Sequence, residues 1–275
     1  MVTSPSETGS KPTVWILGDQ LNLEIASLKD RSPADCRVLL VESRAKLESK
    51  PWHIQRAHLV VSAMAHFAAD LQAHGFDVDY RQAPTLAAGL RAHREQFDVQ
   101  HVIAMEPMSW DGRAMLARLD VETVANNQFL CHYDEFATWA KDRKSIKMEN
   151  FYRWQRTRLD VLMDDGAPVG GRWNHDHDNR EPPPTDNRSW PENTRFPLDD
   201  IDRDVLGRLP ECWGAAPDGT WPVTRDQALR RLEEFITSGL EPFGPHEDAM
   251  LAAEWKLAHS TLSSSLNLGL LWPGE

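Results

Sequence analysis

Between Val14 and Val124, short β-branched and apolar runs alternate with longer stretches of helical periodicity, a pattern that restricts the chain to a parallel sheet joined by crossover helices. Strands are read at Val14 to Leu17, Val38 to Val41, Val78 to Tyr80, Val102 to Met105 and near Val121 to Val124. The clearest helix follows the second strand, where Ile54, Ala57, Val61, Met64, Ala68 and Leu71 recur three or four apart and make one apolar stripe. His74-Gly75 ends it, glycine supplying a left-handed turn. Further helices are expected over Leu86 to Gln96 and Asp111 to Leu119. The fold class is therefore α/β, a parallel five-stranded sheet with flanking helices.

Past Asp134 the strand signals fade. Helices are expected over Asp134 to Arg143 and Met148 to Leu162, and then comes a polar stretch, Asp164 to Pro197, with Gly170-Gly171 and Pro182-Pro183-Pro184 in it. A connection of this length is uncommon inside a compact domain, so it reads as an interdomain linker or a functional loop. From Leu198 the pattern is helical, with candidates at Asp199 to Leu209, Thr224 to Ser238 and Glu247 to Leu271. The expected division is a disordered tail at 1–12, an α/β domain at 13–135, helices and a long loop at 136–197, and a partial all-α domain at 198–275. The last of these has few elements from which to build a core, and the chain looks cut short.

Composition narrows the function classes. No stretch approaches the ~18 to 20 apolar residues a membrane span needs, and Met1 to Lys11 lacks the apolar centre of a signal peptide. A soluble, cytoplasmic protein is expected. Cys36, Cys131 and Cys212 are far apart with no CxxC pair, which points to reduced thiols rather than a disulfide framework or zinc ribbon. The formal charge of -12 excludes a surface that is basic all over, so any DNA contact must come from a local patch. One such patch exists: Lys141 to Arg158 carries a net +5, with Phe151, Tyr152 and Trp154 interleaved. Two readings stand for it. The cations can neutralise phosphates while the aromatics stack on bases, or the segment is a solvated amphipathic helix whose aromatics face the core.

In open α/β sheets ligands bind at the carboxyl ends of strands. Gly18, Asp19 and Gln20 follow the first strand, Glu42 ends the second, and Glu106 follows the fourth. The competing reading of the first group is a turn and a cap, and the absence of GxGxxG removes the dinucleotide fingerprint. His175, Asp176, His177 and Asp178 are dense, but no third cluster of ligands stands at a suitable spacing and no metal site is expected. The hydroxyls of Ser260, Thr261 and Ser263 sit at an expected helix start, where they would hold a phosphate or serve as an N-cap.

Taken in order, WILGDQLN, SAMAHFAADL, MEPMSWDGR, NQFLCH, RKSIKMENFYRWQR, PVGGRWNHDHDNREPPP, FGPHEDAM and HSTLSSSLNLGLL resemble the iron-sulfur bacterial cryptochromes and photolyases, the deoxyribodipyrimidine photolyase-related proteins. The resemblance implies an antenna-type α/β domain followed by a partial all-α flavin-binding domain, and light-driven repair of pyrimidine dimers or 6-4 lesions in damaged DNA by electron transfer from FAD. By resemblance, Ser260, Thr261, Leu262 and Ser263 fall on the FAD-binding signature. Gly18, Asp19, Gln20, Glu42 and Val60 fall where an antenna pigment of the lumazine type is held. Lys46 and Lys50 depart from the family's pattern in that region. Arg180 matches an interdomain-loop arginine that approaches the lesion, and Arg153 and Lys147 of the basic segment are expected beside it on DNA. The family's four Cys ligands for a [4Fe-4S] cluster have no match in Cys36, Cys131 or Cys212. The chain is thus expected to be incomplete as a photolyase unless a partner supplies the missing C-terminal half. The alternative is a non-catalytic pigment- or nucleotide-binding protein that acts through a partner.

Overall fold

The computed structural model describes residues 11–184 and 189–275. Of the expected tail at 1–12, residues 1–10 lie outside the described residues. Five parallel strands form one sheet: β1 (Thr13–Ile16), β2 (Arg37–Ser43), β3 (Asp77–Ala83), β4 (Val102–Met105) and β5 (Glu122–Val124), in the order β3-β2-β1-β4-β5. Each expected strand is present. The helices between them are a short turn α1 (Arg44–Leu47), then α2 (Ile54–Ala73), α3 (Leu86–Phe97) and α4 (Trp110–Arg118). Gly75 follows α2 with φ 87°, the left-handed position that glycine enters at little cost.

The sheet is buried on both faces, as parallel sheets require. Trp15, Leu39, Val41, Val102 and Ala104 form one apolar cluster with Leu90 of α3 and Leu116 of α4. Val14, Ile16, Val38 and Leu40 alternate with them and are also buried, so their side chains fill the opposite face, the one left for α2. A polar tie runs through the core at the bottom of the sheet. Thr13 Oγ1 lies 2.8 Å from His93 Nε2, and His93 Nδ1 lies 2.6 Å from Asp79 Oδ2, joining β1, α3 and β3. Burial holds the His93 imidazole below its ordinary pKa even with that carboxylate beside it.

The chain divides into two compact units. The sheet unit comprises 1–128, 193–231 and 262–275; the second comprises 129–192 and 232–261. Helix α7 (Asp200–Arg208) packs against α2 in the sheet unit. The segment 262–275 contributes α10 (Ser263–Leu268), and its chain bonds to the loop after β1: Leu21 N–H donates to the Leu268 carbonyl at 2.9 Å, and Asn22 Nδ2 donates to the Gly269 carbonyl at 3.0 Å.

The second unit is built on α5 (Tyr133–Ala140) and α6 (Met148–Leu159), whose Phe136, Trp139, Phe151 and Trp154 rings pack with centroids 5.2 to 5.8 Å apart. The long polar stretch that follows opens with a two-strand hairpin, β6 (Met163–Asp164) and β7 (Ala167–Pro168). Helix α8 (Arg225–Glu234) continues through a π turn at Phe235–Gly239 into α9 (Leu240–Phe243), in place of the single expected helix from Thr224 to Ser238.

The helix expected from Glu247 to Leu271 is a correction: only Ser263–Leu268 is helical. Apolar spacing there fits a helix, but Leu257 (φ 51°) and Thr261 (φ 56°) adopt left-handed backbone that interrupts one. Lys256 Nζ instead donates to the Pro191 carbonyl at 2.7 Å, a contact no local pattern announces.

Candidate functional site

Strand order reverses at β1, which has β2 on one side and β4 on the other, so the loops leaving β1 and β4 diverge and open a crevice at their carboxyl ends. A cavity of about 1280 Å³ occupies this place. Its wall combines Leu17, Gly18 and Asp19 after β1, Glu42, Ser43 and Lys46 after β2, and Pro107, Ser109 and Asp111 after β4. Val60, Val61 and Met64 of α2 supply apolar surface, Trp52, His53 and Trp221 supply rings, and Ser263, Ser264 and Asn267 of α10 supply polar atoms. All of these residues belong to the sheet unit.

Four of the five expected pigment residues, Gly18, Asp19, Glu42 and Val60, line this cavity together. At Gly18 a β-carbon would stand 2.9 Å from Met64 Sδ, so the absent side chain leaves Met64 its place in the wall. Desolvation by the cavity walls pushes the Asp19 carboxyl above its ordinary range, against the opposing pull of its own backbone N–H and of Lys46. Glu42 is buried, and its Oε2 accepts from Tyr80 Oη at 3.0 Å and from Arg208 Nη1 of α7. Burial, reinforced by the Glu42 charge, drives the Tyr80 phenol well above its usual range.

Gln20 is placed elsewhere. It is buried off the cavity, and its Nε2 donates to the carbonyls of Met105 (3.0 Å) and Glu106 (3.4 Å), tying the end of β1 to the end of β4. Glu106 is likewise engaged, its Oε1 accepting from Asn126 N–H at 3.0 Å. Lys46 lines the cavity; Lys50, whose ammonium lies 4.6 Å from the Trp52 ring centroid, does not. Sequence reasoning missed Trp52, His53, Trp221 and Asn267. The first two lie just beyond the strand-end loop and were within reach of the same rule, whereas Trp221 and Asn267 arrive from distant chain.

Of the four residues expected at FAD, Ser260 and Thr261 belong to the second unit and Leu262 and Ser263 to the sheet unit. Ser263 faces the sheet-unit cavity, Leu262 is buried, and Thr261 Oγ1 donates to the Ser260 carbonyl at 2.6 Å. Helix α10 is only six residues long and its N-cap, Leu262, makes no side-chain cap, so the N-cap reading of these hydroxyls is not realised.

On the basic segment, Phe151 and Trp154 pack inward while Lys141, Arg143, Lys144, Lys147, Arg153 and Arg158 are exposed. Arg156 is buried and donates to the carbonyls of Val161 and Leu162. Arg153 pairs with Glu149 at 2.8 Å and lies over the Trp173 ring. Lys147 has no ion partner among the described residues. Arg180 is exposed, paired with Asp176 and 3.9 Å from Asp248. His175 and Asp178 are surface residues 3.5 Å apart.

Fold and cavity together define a doubly wound α/β protein with a cofactor-sized pocket at its switch point. The family described as deoxyribodipyrimidine photo-lyase-related protein matches residues 14–217, and the chain belongs to that family. A (6-4) photolyase of Agrobacterium fabrum (strain C58 / ATCC 33970) is 34% identical over 274 residues, an alignment spanning 94% of this chain and 54% of that protein. The crystal structure of a bacterial class III photolyase from Agrobacterium tumefaciens shares the fold with a TM-score of 0.59 at 16% identity, covering 98% of this chain and 52% of the other. The chain thus spans about half the length of these relatives. Among the described residues no helix is long and apolar enough to cross a membrane.

Proposed function

We propose that this chain is the pigment-holding half of a photolyase-related flavoprotein, whose complete form repairs pyrimidine dimers or 6-4 lesions in DNA using light. The observation that carries the proposal is the cavity at the switch point, where apolar and aromatic walls surround Asp19 and Lys46. Such a pocket suits a planar heteroaromatic ring with a polar tail, the shape of a lumazine-type antenna. In this reading Val60, Met64 and Trp52 exclude water from the ring, and Lys46, Ser263 and Ser264 meet the polar tail. Ser264 Oγ is buried without a hydrogen-bond partner, which fits a ligand group as its complement.

FAD, where the complete protein binds it, would supply the electron that splits the lesion. The share of this chain is to hold the pigment and to present Lys147, Arg153 and Arg180 to DNA phosphates. The 275-residue polypeptide alone is proposed to bind the pigment and not to retain FAD, since it spans about half the length of the relatives it matches. Titration of the purified chain with 6,7-dimethyl-8-ribityllumazine and, separately, with FAD tests this. Saturable lumazine binding with a fluorescence change is expected, together with weak or absent flavin binding. Flavin retained near one equivalent, or a pigment that does not bind, would overturn the corresponding half of the proposal.

A further inference from the structure

Away from the cavity, side chains of α2 and α7 converge on a second place in the sheet unit. His58, Ser62 and His66 stand four apart and share one face of α2. Opposite them, Asp199 and Asp202 form a reciprocal capping box at the start of α7: each backbone N–H is accepted by the other's carboxylate at 3.0 Å. That uses Asp199 Oδ1 and Asp202 Oδ2 and leaves their other oxygens turned toward α2. Asp202 Oδ1 accepts from Ser62 Oγ, and Asp199 Oδ2 lies 2.9 Å from His66 Nε2.

The tautomer of His66 is decided by its other nitrogen. Nδ1 lies 2.9 Å from the Ser62 carbonyl oxygen, which can only accept, so Nδ1 carries a proton. In the neutral ring, Nε2 is then a bare lone pair pointed at a carboxylate oxygen. Two acceptors face each other at hydrogen-bond distance, a contact relieved by a second proton or by a cation. An imidazole whose Nδ1–H is anchored on a backbone carbonyl and whose Nε2 is open is also how metal-binding histidines are commonly oriented.

An independent observation comes from beneath. The side chain of His58 is 4% exposed; its Nε2 lies 3.2 Å from Asp202 Oδ1 but makes no hydrogen bond. Asp202 Oδ1 therefore sits between Ser62 Oγ and a buried His58 nitrogen that makes no hydrogen bond, within 4.8 Å of the His66 and Asp199 donor atoms.

We propose that His66, Asp199 and Asp202 bind a divalent transition metal ion that clamps α7 onto α2. Their donor atoms lie within 4.8 Å of one another, a separation that small side-chain rotations close around one ion. One imidazole and two carboxylates suit Zn²⁺, Mn²⁺ or Co²⁺, and the half-exposed Asp199 side chain leaves an entry path and room for coordinated water.

The test is equilibrium dialysis of the metal-stripped 275-residue protein against ZnCl₂, with thermal melts run in parallel. One Zn²⁺ bound per chain is expected, with a melting temperature that rises with Zn²⁺ and falls back on adding EDTA. His66→Gln and Asp199→Asn should each weaken binding at least about tenfold. Zinc bound equally well by the folded His66→Gln protein would place the ion elsewhere and overturn the proposal, as would no binding by the parent chain at 100-fold molar excess. Should the variants fail to fold, X-ray absorption at the zinc edge on the parent protein decides: a mixed nitrogen and oxygen shell is expected, and a sulfur-containing shell overturns the assignment.

Discussion

Arg208, near the end of α7, reaches the carboxylate of Glu42 at the end of β2, so a helix distant in sequence neutralises a buried acid in the wall of the cavity. Both side chains are largely shielded, at 20% and 8% exposure. Removing one partner strands the other. Arg208→Met is expected to destabilise the protein by about 3 kcal/mol, and the double variant Arg208→Met/Glu42→Gln to recover much of that loss. Urea unfolding of Arg208→Met, Glu42→Gln and the double variant measures the coupling; losses that simply add in the double variant would show that the pair is not an energetic unit.

Tyr80 donates to the same Glu42 oxygen, and burial raises its phenol far above the ordinary tyrosine range. A group whose folded pKa is raised contributes stability that is intact below its unfolded value, here near 10, and is lost as pH climbs toward the folded one. Of the three tyrosines, Tyr80 should therefore stay un-ionised in absorbance titrations at 295 nm until the protein unfolds in alkali. Tyr80→Phe should flatten the fall in stability above about pH 10.

Gly18 marks where the cavity wall comes closest to the chain leaving β1. An alanine there meets only the far end of the flexible Met64 side chain, which can shift, while a valine projects farther into the pocket between Met64 and Val60. Gly18→Val should weaken lumazine binding by about tenfold or more, equivalent to ~1.4 kcal/mol, with a smaller change for Gly18→Ala. Fluorescence titration of each variant, alongside a melt to confirm folding, is the measurement.

The exposed cations on and just before α6 are the surface proposed to meet DNA. Neutralising Lys147 and Arg153 together, as Lys147→Gln/Arg153→Gln, should lower affinity for damaged duplex and reduce the slope of log K against log salt by about 2, one for each lost phosphate contact. Arg153 shares its charge with Glu149, so its part should be the smaller of the two. An unchanged slope would move the interface off this helix.

The strands were legible because their cause is local. Val102–Met105 is four apolar residues between a polar approach and Glu106-Pro107, and it is recovered with its bounds unchanged. The strand order is not written in any window of sequence, since it follows from which crossovers pack over which strands. The ligand cavity was half readable: Gly18, Asp19 and Glu42 are found by their place at strand ends, whereas Trp221 and Asn267 reach it through tertiary packing. Gln20 sits in the same loop as Asp19 yet is taken up by the carbonyls of β4, a choice set by the neighbouring strand. The stretch before α10 misled for the opposite reason, because its apolar spacing is helical while Leu257 and Thr261 turn left-handed.

The bonds from Leu21 and Asn22 to Leu268 and Gly269 carry a further consequence for how the molecule forms. The first strand leaves the ribosome well before the segment that fastens its outgoing loop, which lies about 250 residues further along the chain. Closure of so long a span is slow, and until it happens the mouth of the pocket lacks one of its sides. A ribosome-stalled nascent chain ending before residue 262 should hence show a protected sheet and an unguarded loop after β1, so that proteolysis near Leu21 would report, in time, the arrival of the 262–275 segment.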